Sequence, residues 1–188
     1  MRAQSVPQTS TRLVSIVRGA RKRGRQFLIA LHVRSDARAD AQLRRLCPSE
    51  AMWQLLARLS PFDRRHALAV HDWMLAHGVT DTDLLLAGLL HDVGKADERT
   101  RVHLSHRVAL VVGRRFIPDW LDRACARPGA GGLRRGLYLA KHHAALGSER
   151  AAAAGASARC CALIAAHDSS DPSSDPQLRL LRSADEHA

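Results

Sequence analysis

Apolar residues along this chain recur at three- and four-residue spacing and rarely alternate with polar ones, which predicts helices rather than strands. Thr11 to about His32 carries Leu13, Ile16, Val17, Ala20, Phe27, Leu28 and Leu31, an amphipathic helix with an arginine-rich outer face. Residues 1–10 before it are polar and read as a loose tail. Ser49 is the expected N-cap of a helix striped by Met52, Leu55, Leu56 and Leu59. Ser60 and Pro61 open the next, which runs to His77 and stops at Gly78. Thr80 is the expected cap of a leucine-rich helix from Asp81 to about His91, ended by Gly94. Further helices are expected over His103–Phe116, Trp120–Arg127, Leu133–His143, Leu146–Ala154, Ser157–His167 and Gln177–Asp185. "PGAGG" at 128–132 and "SSDPSSDP" at 169–176 read as connections. The expectation is an all-α domain of irregular helices.

Composition sharpens this picture. The 188 residues are 46% apolar but only 4% aromatic, so one sizeable core must be built from Leu, Ala and Val. The formal charge is +11, and lysine contributes only Lys22, Lys95 and Lys141. An arginine field of this kind attracts phosphate groups, nucleic acid or an anionic membrane surface, although a GC-rich genome also enriches arginine. Cys47, Cys125, Cys160 and Cys161 lack zinc-knuckle spacing and read as reduced thiols, which suits the cytoplasm. No apolar run reaches the roughly 18 residues of a transmembrane span.

The candidate chemistry lies in the histidines and two aspartates. His66 sits among Leu68, Ala69, Val70 and Trp73; His91-Asp92 ends the leucine helix "LLLAGLL". The His142-His143 pair ends another predicted helix, His167 follows "CCALIAA", and Asp185 follows "LRLLRSA". Five elements thus bring a His or Asp to an apolar helix end or face. Burying isolated charges costs several kcal/mol each. A divalent cation is the natural common acceptor. Imidazole and carboxylate without thiolate suit Mn, Fe, Co, Ni or Zn. His71 competes with His66 but lies on another face of its helix. Asp168 competes with Asp185 but opens a Ser-Asp-rich loop. Histidines that merely cap helices or hydrogen-bond within the core are the bland alternative at each position. Trp53, Trp73 and Trp120 are expected in or half in the core.

The ordered set "HALAV", "LLLAGLLHDVGK", "HHAALGSERAAAAGAS", "LIAAH" and "LRSADE" resembles the HD-domain superfamily of metal-dependent phosphohydrolases, especially its small stand-alone bacterial members. The resemblance spans about Met52 to Asp185 and implies an HD-type helical bundle, one domain over 11–188 with its core at about 49–185. It implies that His66, His91, Asp92 and Asp185 hold a first metal, and Asp92, His143 and His167 a second. His143 is preferred to His142 because His143-Ala-Ala-Leu-Gly147 matches the family's phasing. Asp92 and Lys95 are the implied catalytic residues, with Lys95 toward the phosphate. The implied activity is hydrolysis of a phosphomonoester or phosphodiester, chiefly of a nucleotide, by a metal-activated water with one or two ions. His106-Arg107, with Arg64, Arg65 and Arg101, is a candidate for lining the phosphate entrance, the alternative being a solvated basic face. No Gly-Tyr-Pro follows the paired histidines and no Glu-Asp pair follows the HD. The cyclic-dinucleotide and alarmone branches of the superfamily are therefore not indicated. The competing expectations are a non-catalytic module that binds a nucleotide, and a nucleic-acid binder that uses the arginine surface.

Overall fold

Local capping chemistry starts most of the helices where the sequence places its Ser and Asp residues. The computed structural model describes residues 36–128, 131–169 and 171–188, within one compact unit spanning Arg34–Ala188. The helices are α1 (Ala37–Leu46), α2 (Glu50–Ala57), α3 (Pro61–Ala76), α4 (Thr82–Leu90) and α5 (Leu104–Phe116). They continue with α6 (Pro118–Cys125), α7 (Gly132–Ala153), α8 (Ala158–Ala166) and α9 (Pro176–His187). One 3-10 turn, Val93–Lys95, follows α4, and among the described residues there is no strand beyond a single bridge of Ala96 with Arg101. The fold is all-α. The expected tail and the basic helix Thr11–His32 lie outside the described residues.

Ser49, Ser60 and Ser157 cap α2, α3 and α8 through their hydroxyl oxygens, which accept the N–H of Met52, Asp63 and Cys160. At α4 the cap is Asp81 rather than Thr80: its carboxylate accepts the N–H of Leu84 at 2.8 Å. Two further expectations are corrected. Asp36 caps the helix α1, which the sequence reading did not expect because its apolar stripe is short: Ala39, Leu43 and the half-buried Leu46. The two helices expected at 133–143 and 146–154 are one 22-residue helix, α7, because Ala144, Ala145 and Gly147 continue it without a break. Gly78, at φ 78°, supplies the left-handed residue that ends α3.

The main core is aliphatic. Leu56, Leu59, Met74, Leu89, Leu90, Ile164 and Leu181 are wholly or almost wholly enclosed. Helix α4 runs through its centre between α3 and α8, and α9 closes the far side against α3. Truncating one of these leucines to alanine costs about 2–5 kcal/mol. A second, smaller cluster of Leu110, Leu121, Cys125 and Leu137 fastens α5 and α6 to α7. All four cysteines are free thiols. No helix among the described residues is long and apolar enough to cross a membrane.

Candidate metal centre

The leucine helix ends where its chemistry begins. His91 is the last residue with helical dihedrals, and Asp92 follows at φ −99°, ψ 0°, entering the 3-10 turn. Successive side chains on a helix diverge by about 100°. Both chains are nonetheless buried and aimed at a shared space, with His91 Nε2 3.4 Å from Asp92 Oδ2.

Four other elements bring side chains to that space. Helix α3 supplies His66, whose Nε2 lies 2.7 Å from Asp185 Oδ1 of α9. The same Asp185 oxygen lies 3.5 Å from His91 Nε2. Helix α7 supplies His143, with Nε2 3.7 Å from Asp92 Oδ1. The end of α8 supplies His167, whose ring stands edge-to-face to both His91 and His143 at 5.1 Å. His66, His91 and Asp92 offer donor atoms within 4.8 Å of one another, and so do Asp92, His143 and His167. Asp92 belongs to both groups, and Asp185 joins the first through its two imidazole contacts. Lys95, on the 3-10 turn, rests its Nζ 2.5 Å from Asp92 Oδ2.

Three imidazoles share one orienting device. Nδ1 of His91, His143 and His167 lies 2.8, 3.0 and 2.7 Å from the carbonyl three residues earlier: Gly88, Ala140 and Ile164. A carbonyl can only accept, so each Nδ1 carries the proton, and Nε2 is left as the atom facing the common space. Ligating histidines are commonly held this way. His91 Nε2 is a buried polar atom without a hydrogen-bond partner, flanked by two carboxylates. An N/O donor set of this kind, with an orphaned imidazole nitrogen and a shared carboxylate, fits one or two borderline divalent cations.

The electrostatics separate the two groups. Burial opposes an imidazolium at His91, yet the neighbouring Asp92 and Asp185 push its pKa up to about 10. Burial also opposes ionisation of Asp92, but His91, Lys95 and His143 hold it well below the usual carboxylate range. Asp185 is likewise depressed despite burial, through His66 and His91. Burial and the Lys95 ammonium pull His143 down, and burial with His91 takes His167 down to about 4. Without a cation, burial thus favours neutral imidazoles at His143 and His167, whereas the two carboxylates favour the doubly protonated imidazolium at His91.

Backbone packing sets the spacing of the second group. A Cβ on Gly94 would lie 1.9 Å from the His143 carbonyl oxygen and 2.8 Å from the Gly147 nitrogen. Only glycine lets α7 press this closely on the turn and bring His143 over Asp92. Arg150, two turns after His143 on the same face, clamps the contact. Its Nη1 donates to the carbonyls of Val93, Gly94 and Ala96. Arg182 of α9 does the same for α8, donating to the carbonyls of Ala166 and His167.

The alternatives fall elsewhere. His142 turns away, with Nε2 3.0 Å from the Cys125 carbonyl and its ring against Tyr138. His71 pairs with Asp72. Asp168 is exposed beyond the end of α8. His106 is buried, with Nδ1 accepting the His103 N–H, so it shapes the start of α5. The arginine expectation is corrected in part. Arg64 is buried and spent on Asp40 and the carbonyls of Ala57 and Leu59, so it lines no entrance. Arg65 and Arg101 are exposed. Arg107 meets the buried Asp63, one helical turn before His66, and its guanidinium lies over the Phe62 ring. Its pKa is raised: burial opposes the charge, but Asp63, Asp92 and Asp185 favour it.

The sequence reading missed Arg150, Arg182 and Asp63 as supports of the site. Each lies three or seven residues from a candidate ligand, and that spacing was the available signal. No protein-family model, curated protein or solved structure matches the chain.

Proposed function

We propose that the protein is a metal-dependent phosphohydrolase of the HD-domain type, acting on a phosphomonoester or phosphodiester, with a nucleotide as the favoured class. The observation that carries this reading is the convergence of His66, His91, Asp92, His143, His167 and Asp185 from five separated elements, with Asp92 shared between the two groups. His66, His91, Asp92 and Asp185 would hold one cation, and Asp92, His143 and His167 a second. Bound there, the metal supplies Lewis acidity toward a phosphoryl oxygen and toward water.

The chain's own residues do the rest. The carbonyl-locked Nδ1 atoms fix the tautomer and the direction of three imidazoles. Asp92, common to both groups, would contribute its carboxylate to each. Lys95 and Arg107 place two cationic side chains beside the carboxylates, where a phosphate dianion needs them. Arg107 offers the forked donor geometry that phosphate oxygens match. Arg64, Arg150 and Arg182 take no part in binding, since each is committed to backbone carbonyls.

A panel of phosphate esters, nucleotides included, assayed with added manganese tests the reading. The wild type should turn over at least one ester, and Asp92→Ala should abolish turnover while its circular dichroism stays helical. A wild-type chain that retains metal but hydrolyses no ester, or an Asp92→Ala variant of unchanged activity, would refute it.

A further inference from the structure

The described surface concentrates its exposed apolar side chains in one place. Of the eight large apolar residues that stand exposed, seven lie between Val108 and Leu133: Val108, Val111, Val112, Phe116, Ile117, Trp120 and Leu133. Val108, Val111, Val112 and Phe116 follow helical spacing and form one stripe along α5. Helix α5 is therefore apolar on two sides. Leu110 packs inward on the small cluster with Leu121 and Leu137, while the stripe faces outward. At the α5–α6 corner, Phe116, Ile117 and Trp120 are 72%, 50% and 50% exposed. Trp120 is thus half exposed, at the outer end of the range expected from the sequence. Soluble monomers rarely leave such a cluster bare without a use for it.

The charge around it is one-sided. The exposed charges of residues 104–135 are Arg114, Arg115, Arg123, Arg127 and Arg134 against Asp119 and Asp122, while Arg107 and Arg135 are held by Asp63 and Asp97. Arg114 and Arg115 end α5 in exposed positions directly before Phe116. Lys141 meets one of the two acids, Asp122, at 2.7 Å.

From this arrangement we propose that the α5–α6 corner docks the protein on an anionic lipid bilayer. Phe116, Ile117 and Trp120 enter the interfacial layer, and the arginines meet lipid phosphates. A tryptophan and aliphatic side chains ringed by arginine are the composition of an interfacial helix. Neither helix crosses the bilayer, so the attachment is peripheral. A second copy of the chain fits less well, because a two-fold contact would set the arginine clusters against each other. Nucleic acid would use the arginines but leave three valines and Ile117 facing phosphates. The inference is independent of the phosphohydrolase reading.

Co-sedimentation of the full chain with vesicles tests it, using phosphatidylcholine alone and phosphatidylcholine mixed with phosphatidylglycerol. The wild type should bind the mixed vesicles and bind the neutral ones about tenfold more weakly or worse. Phe116→Glu/Ile117→Glu and Arg114→Glu/Arg115→Glu should each weaken binding to mixed vesicles by about tenfold or more. Their circular dichroism should be unaltered, since all four side chains are exposed. Absence of vesicle binding, equal binding to neutral vesicles, or wild-type binding by both variants would overturn the proposal. So would a wild-type dimer that ignores vesicles and that the Phe116→Glu/Ile117→Glu variant dissociates.

Discussion

Replacing Gly94 with alanine tests the geometry of the centre without touching a candidate ligand. The added Cβ would stand 1.9 Å from the His143 carbonyl oxygen, and real Cβ atoms stay at least 3.0 Å away, so α7 must retreat by about 1.1 Å. Both partners are backbone, so no rotamer change relieves the clash. Metal–ligand distances tolerate only about 0.2 Å. A retreat several times larger takes His143 out of reach of a cation held by Asp92. It also loosens the Arg150 bonds to Val93, Gly94 and Ala96. Overpacking of this kind costs about 1–3 kcal/mol, or about 2–12 °C in melting temperature at this chain length. Isothermal titration with manganese should show the second-group event lost, while the event assigned to His66, His91 and Asp185 persists. Gly88→Ala is the control. Its Cβ would meet Met74 Cε at 2.1 Å and Val70 Cγ1 at 3.3 Å, both side-chain atoms, so a rotamer change of the methionine rather than a backbone shift relieves the contact. Gly88→Ala should bind metal as the wild type does. A Gly94→Ala variant with wild-type stoichiometry and melting temperature would refute the packing argument.

Other expectations follow from the same geometry. His143→Ala should weaken binding at the second group by at least about tenfold, whereas His142→Ala, which loses a bond to the Cys125 carbonyl and a ring contact with Tyr138 away from the centre, should leave titrations unchanged. The raised pKa of His91, about 10, means that a cation entering the first group must displace a proton from it. Affinity there should rise about tenfold per pH unit from near 7 and level off near 10, with about one proton released, measurable by titration in buffers of different ionisation enthalpy. The lowered His167, at about 4, predicts no such proton release from the second group in that range. Arg107→Ala should raise KM for the ester by about 10- to 100-fold with metal content intact, the value of one charge-assisted contact. Asp63 keeps its hydrogen bonds with Ser60 in that variant.

The all-α class and most helix starts were legible because apolar spacing and capping residues act locally. Ser49, Ser60 and Ser157 cap where the sequence places them. The six candidate ligands were legible because each stands at the end or on the inner face of an apolar stripe, where a polar residue has to be explained. Less local features were hidden. The continuity of α7 is one: two helices were expected over 133–154, yet the chain runs through as one helix whose Gly147 packs against Gly94. Arginine looks alike wherever it stands. Arg64, Arg107, Arg150 and Arg182 took distinct roles only once the fold supplied Asp40, Asp63 and the open carbonyls. The exposed stripe of α5 was also hidden, because Val108 and Val111 look like core residues until Leu110 is seen to fill that role.

Elemental analysis of the purified full chain, repeated after dialysis against manganese, tests the central claim most directly. The account predicts one or two equivalents of a divalent transition metal in the wild type and a loss of most of it in Asp92→Ala, the residue common to both groups. A wild-type chain that carries no metal and takes up none would contradict it.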